Sequence, residues 1–252
     1  MKTFVINLEK DVVRRRYMER LIVGTPFADA EFVTAVFGKS LTAAEKLEVF
    51  DRRRYGYAFS AEATDGEIGC AVSHYNVWRR VADGDDEVTF VLEDDLQFDG
   101  DVAAMVEWSA CWLASPKPRV VLFSHYFFSY PWNIACDASR QYSTRPRRAF
   151  GTYCYGINRA AARLLVSLGR PHYTSDDWDY FQRCGLEMRA PIGHSVGVDY
   201  DFPTNISGRS AYVVSKFDAG AQLVAPCYFG CVEEFYSLIA YKLGLMRFFD
   251  KS

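Results

Sequence analysis

Short apolar runs alternate with segments of helical periodicity along the first hundred residues, and this alternation limits the fold more than any other feature. Residues 2–8 read as a short buried strand, and Asp11 precedes a helix whose inner face is Val13, Tyr17, Met18 and Leu21. Residues 31–37 alternate like a second strand, and Thr42-Ala-Ala-Glu45 spells a capping box opening a helix toward Arg54. Strand, helix, strand, helix is the order of a mainly parallel sheet covered on both faces. With 252 residues, half of them hydrophobic and 16% aromatic, the chain can bury the core of one large α/β domain.

Charge and cysteine usage narrow the function. The formal charge of -3, from 29 basic and 32 acidic residues closely mixed, sets up no field for nucleic acid, and no nucleic-acid partner is expected. MKTFVINLEK places one lysine ahead of an apolar run too short for a signal peptide or a membrane span. Seven scattered cysteines without a CxxC pair fit reduced thiols, so the expected location is the cytoplasm.

Three segments carry chemistry. Arg14, Arg15 and Arg16 crowd the first turns of the first helix, where positive charge opposes the macrodipole by about 0.3–1 kcal/mol per exposed residue. Either the face is simply solvated or an anion binds there. In GEIGCAVSHYNVWRRVAD, residues 66–83, Ile68, Ala71, Val72, Tyr75 and Ala82 fall on one side of a helix, and Gly69, Cys70, Ser73 and His74 on the other. That second face suits either tight helix packing or the close approach of a ligand. The polar stretch 83–87 then leads into a strand, 88–92, that ends in Glu93, Asp94 and Asp95. Three adjacent carboxylates repel one another unless a cation or donors offset them. Ligands of open parallel sheets bind beyond such strand ends, so a hard cation, Mg²⁺ or Mn²⁺, is expected there.

FVINLEKDVVRR, GEIGCAVSHYNVW, VLEDDLQF and TYCYGINRAAARLL, in this order across roughly residues 3–210, resemble glycosyltransferase family 25. That family includes bacterial lipooligosaccharide galactosyltransferases and the catalytic domains of collagen galactosyltransferases. The resemblance implies a GT-A type nucleotide-sugar-binding fold over residues 1–215, with a C-terminal extension, 216–252. It also implies inverting transfer, with UDP-galactose as donor, a divalent cation, and a lipooligosaccharide or other surface glycan as acceptor. Carried over to this chain, the EDD motif makes Asp95 the direct metal ligand and Glu93 a second contact to metal or donor. Asp94 would point away by strand alternation. Asn7, Arg14 and Arg15 would surround the nucleotide, and Gly69, Cys70, Ser73 and His74 would face the donor. Asn205, Ser207 and Arg209 would close over the diphosphate.

An inverting transfer needs a base for the acceptor hydroxyl. In HYTSDDWDYFQRCG, Ser175 can cap a helix opening with Asp176, Asp177 and Asp179, and acids there either complement the helix dipole or supply the base. Asp177 is the first candidate for the base and Asp179 the second, while Trp178 either stacks under a sugar or fills the core. The tail from Phe235 is either a buried terminal helix or a peripheral contact with the inner membrane near a lipid-linked acceptor. Two other classes stay open: a silent sugar- or nucleotide-binding protein on the same fold, and a glycoside hydrolase, which needs opposed acids without a nucleotide site.

Overall fold

The first strand has no polar alternation, and both its faces are buried. The structure, a computed structural model, describes residues 1–59, 61–123, 127–136, 142–192, 196–202, 242–245 and 247–249. β1 (Lys2–Asn7) leads through α1 (Val12–Leu21) to β2 (Glu31–Thr34), and α2 (Ala43–Val49), α3 (Arg52–Phe59) and α4 (Asp65–Asp83) lead on to β3 (Val88–Glu93). Next come β4 (Leu96–Phe98), α5 (Val102–Leu113), β5 (Arg119–Leu122), β6 (Phe127–Ser129), β7 (Ile134–Cys136), β8 (Tyr142–Thr144) and β9 (Arg148–Ala149). β10 (Cys154–Asn158), α6 (Arg159–Ser167), α7 (Trp178–Arg183), β11 (Glu187–Pro191), β12 (Val196–Val198) and β13 (Arg247–Phe249) complete the described elements.

Among the described residues the main sheet has the order β2-β1-β3-β10-β5-β11-β8-β7. Its strands β2, β1, β3, β5, β11 and β7 run one way, and β10 and β8 run the other. The expected α/β architecture, a mainly parallel mixed sheet between helices, is therefore present. Phe4, Ile6 and Val91 pack on one face with Trp78, Leu165, Trp178 and Phe181. Val5, Phe90 and Leu92 pack on the other with Met18, Met105 and Leu113. Each such large side chain contributes about 1.5–3 kcal/mol on burial, which offsets the cost of ordering the strands.

The chain leaves β1 toward β2 on one side and returns to pair β3 on the other. Strand order therefore reverses at β1, and a crevice opens at the carboxyl ends of β1 and β3, the usual ligand position in such sheets.

Several elements differ in detail from the sequence expectation. The capping box of Thr42 and Glu45 forms, but Phe50 turns extended and splits the expected helix into α2 and α3. A second capping box, Thr64 with Glu67, starts α4 and went unpredicted. α4 is buried on both sides because α2 and α3 add a small core of Phe50, Tyr55, Ile68 and Val72 outside it. Val13, expected inside, is 73% exposed, whereas Arg14 is 8% exposed. Met18 and Arg14 share the inner side because the acids after β3 lie where α1 meets the sheet edge.

β12 pairs with β4, and β13 joins β6 with Arg247 opposite Ser129, so a described piece of the C-terminal extension is a strand of the main body. The rest of the extension, with Asn205, Ser207 and Arg209, lies outside the described residues. Among the described residues no helix is long and apolar enough to cross a membrane.

Candidate functional site

β3 ends at Glu93, and Asp94 and Asp95 form the turn before β4. Strand alternation therefore reaches Glu93, which follows Val91 onto the α4 side, and stops there. Asp94 does not point away: it is buried and accepts from Asn7 Nδ2 at 2.7 Å and Arg14 Nη1 at 2.7 Å. The same Arg14 nitrogen donates to Asp95 Oδ2 at 3.0 Å. Burial works against the Arg14 charge, but the bond to Asp94 and the Asp95 and Asp94 charges outweigh it and raise its pKa. The dipole-opposed arginine is thus held by two carboxylates. Burial and the Glu93 charge push the Asp95 carboxyl up to about 7, with Arg14 opposing them.

Arg15 is turned away from this cleft. One residue along a helix is a rotation of about 100°, and Arg15 lies on the Phe32 ring at 4.6 Å with Glu19 Oε1 accepting from its Nε at 3.0 Å. The expectation that it faces a nucleotide is corrected.

Glu93 joins a second network. Its Oε1 accepts from Thr152 Oγ1 at 2.7 Å and lies 3.3 Å from His74 Nε2. On the other side of the ring, His74 Nδ1 is 2.9 Å from Tyr155 Oη, which accepts from Trp78 Nε1 at 2.8 Å. With Tyr155 donating to Nδ1, the imidazole carries its proton on Nε2 and donates to Glu93. Burial would raise the Glu93 pKa, but His74 and Thr152 outweigh it and hold the carboxylate ionised below its ordinary value. Cys70 Sγ lies 3.1 Å from Ser175 Oγ, itself 3.2 Å from Thr152 Oγ1. Burial and the Glu93 charge push the Cys70 thiol well above its usual pKa.

The opposite wall is the segment after β2. Ser73 Oγ accepts from Val36 N at 2.8 Å and donates to Gly69 O at 2.6 Å. A Cβ on Gly69 would meet Val36 O at 2.5 Å and Gly38 N at 2.8 Å. Gly69 and Ser73 therefore serve first to seat this segment against α4. Behind them Ile6, Val36, Phe37, Lys39, Gly66 and Cys70 line one cleft with Arg14, His74, Glu93, Asp94 and Asp95.

The second cluster of acids follows β10. The helix there begins at Trp178 with Asp177 as its N-cap, accepting from Tyr180 N at 3.4 Å, so Ser175 is not the cap. Burial, then the Asp179 charge, push the Asp177 carboxyl up to about 6. Asp179 Oδ2 pairs with Arg148 Nε at 3.2 Å. Trp178 is fully buried and donates to Gly151 O at 2.9 Å, so it fills the core. Asp176 Oδ2 accepts from Gly151 N at 3.1 Å, next to Ser175 and hence to Cys70.

The family model described as glycosyltransferase family 25 (LPS biosynthesis protein) matches residues 1–178. The chain belongs to glycosyltransferase family 25.

Relatives of this family 25 chain include procollagen galactosyltransferase 2 of Mus musculus, 37% identical over 236 residues, or 83% of this chain and 36% of the relative. Procollagen galactosyltransferase 1-B of Xenopus laevis is 37% identical over 101 residues, 39% of this chain and 16% of that one. A glycosyltransferase 25 family member of Drosophila melanogaster is 38% identical over 103 residues, with the same shares of 39% and 16%. The chain thus spans only 16% to 36% of the length of these relatives. Among solved structures, a protein described as a glucose-1-phosphate thymidylyltransferase of Bacillus anthracis overlaps 79% of this chain and 89% of its own, at 12% identity and a TM-score of 0.41. Galactosyltransferase LgtC with donor and acceptor sugar analogs overlaps 75% of this chain and 73% of its own, at 10% identity and 0.32. Both overlaps are too slight to assign the fold.

The family 25 chain brings Arg14, Cys70, Ser73, His74 and Glu93–Asp95 to one crevice, with buried Asn7 holding Asp94 from behind. Sequence reasoning missed Thr152 and the Ser175 hydroxyl, which tie Glu93 and Cys70 to the segment after β10. Neither residue type is distinctive, and only proximity in the TYCYG motif to the cysteine of β10 hints at the first. The donor set suits a hard divalent cation. Glu93 and Asp95 line the cleft with carboxylate oxygen, and a cation there would offset both the burial and the Glu93 charge that raise the Asp95 carboxyl.

Proposed function

We propose that the protein is an inverting glycosyltransferase that moves galactose from UDP-galactose to a hydroxyl of a surface-glycan acceptor such as lipooligosaccharide. The observation that carries this reading is the closure of separate family motifs on one cleft at the point where strand order reverses. The galactosyltransferase names of the relatives favour the sugar, and the family's description favours the acceptor class.

Each residue then has a physical task. Asn7 fixes Asp94, and Asp94 holds Arg14 so that its charge would face the departing diphosphate without rearrangement. Lys39 adds a second positive charge on the opposite wall. The His74 and Thr152 bonds keep Glu93 ionised, and with Asp95 it would hold the cation. A bound Mn²⁺ or Mg²⁺ would offset charge developing on the leaving diphosphate.

The acceptor proton passes to an acid of the 176–179 turn. Asp177 caps its own helix and Asp179 pairs with Arg148, whereas Asp176 is held by the Gly151 backbone N–H and follows Ser175, whose hydroxyl bonds Cys70 of the cleft, so Asp176 takes the role of base. A screen of nucleotide sugars by thermal shift with Mn²⁺ tests the donor. UDP-galactose at one hundred times its dissociation constant stabilises by about 2.7 kcal/mol, and a screen without any response removes the transferase reading.

A further inference from the structure

Cys70 and His74 are four residues apart on α4, one turn along the same face, and their donor atoms meet Glu93 from the end of β3. One ligand atom from each of the three lies within 4.8 Å of the other two. A thiol, an imidazole and a carboxylate form a donor set unlike the all-oxygen pair of Glu93 and Asp95. It suits a borderline metal rather than Mg²⁺ or Mn²⁺.

We propose that Cys70 Sγ, His74 Nε2 and Glu93 Oε1 form a zinc-selective site in the cleft, with water from the cleft as fourth ligand. The distance from His74 Nε2 to Glu93 Oε1 is 3.3 Å. That is close to the edge of a zinc tetrahedron, about 3.4 Å for bonds of about 2.1 Å. The thiol needs only a short inward movement away from Ser175 Oγ, and it passes its proton to solvent as it binds. As the metal binds, the His74 proton shifts from Nε2 to Nδ1 and is donated to Tyr155 Oη, the outer contact that ligating histidines characteristically make. α4 supplies a rigid frame, being capped at Thr64 and buried on both sides. The site rests on these contacts and not on the transferase reading. If that reading also holds, zinc takes Glu93 out of the donor site and inhibits transfer.

Titrating the full-length protein with Co²⁺ alone tests the site. One equivalent gives a near-ultraviolet thiolate-to-cobalt band that Zn²⁺ bleaches, that Asp95→Asn retains and that Cys70→Ser abolishes. A variant-free measurement guards against misfolding: alkylation of each cysteine by iodoacetamide, mapped by mass spectrometry with and without Zn²⁺. With zinc at one hundred times its dissociation constant, Cys70 is modified about a hundredfold more slowly. The absence of a cobalt band, a band surviving in folded Cys70→Ser, or zinc protection confined to other cysteines each overturns the site.

Discussion

Asp94 and Arg14 form a buried ion pair, Oδ1 to Nη1 2.7 Å, with each side chain only 9% exposed. This contact joins the turn after β3 to the first helix. Removing one partner of a buried pair strands the other charge, at a cost of about 3–5 kcal/mol when no other partner remains. Arg14 keeps Asp95, so Asp94→Asn is expected to cost about 2–3 kcal/mol by urea denaturation. Asp95→Asn should cost less, because Asp95 is more exposed, 19% against 9%, and its bond to Arg14 is longer, 3.0 Å against 2.7 Å. An Asp95 variant as unstable as the Asp94 variant would contradict this ranking.

Asp177 makes stability depend on pH. Its carboxyl titrates at about 6 in the fold, raised by burial and by Asp179, against about 3.9 when unfolded. Between these values the native state binds the extra proton, so stability falls as pH rises from about 4 to about 6 and then levels. Asparagine keeps the N-cap without the charge. Asp177→Asn should therefore gain on the order of 1–2 kcal/mol at pH 8 and nothing at pH 4. Equal gains at both pH values would show that the charge is not responsible.

Gly69 sets two effects against each other. Alanine favours a helix over glycine by about 1 kcal/mol, while overpacking costs about 1–3 kcal/mol. Here the added Cβ meets backbone, Val36 O at 2.5 Å, which cannot rotate away. Gly69→Ala is expected to lower the melting temperature and weaken nucleotide-sugar binding together. A stabilised variant would mean that the segment after β2 yields freely.

The frame of the fold was legible because its signals are local. The apolar runs of β1 and β3 and the Thr42 capping box follow from side-chain type and spacing. The site was legible only as a set of motifs. Alternation put Asp94 outside because nothing local announces that the strand stops at Glu93. Hydrophobic periodicity put Val13 inside, yet pairing with acids eighty residues away turned Arg14 inward instead. Thr152 and Ser175 act through contacts 59 and 105 residues distant, to Glu93 and Cys70, which no window of sequence contains.

The base assignment predicts a split between neighbours. Asp176→Asn should slow transfer by about 10²- to 10⁴-fold with donor affinity retained, and Asp177→Asn should fall within tenfold of the parent at pH 7. Single-turnover assays under saturating donor separate the two. The opposite order returns the base to Asp177.

The most direct test of the donor site is UDP release from UDP-galactose, with and without Mn²⁺ and a galactose acceptor, by the parent chain and by Asp95→Asn. The cleft geometry predicts acceptor-stimulated, metal-dependent release by the parent and its loss in a variant that still folds. Donor binding without any acceptor-dependent release by the parent, or full metal-dependent release by Asp95→Asn, would contradict it.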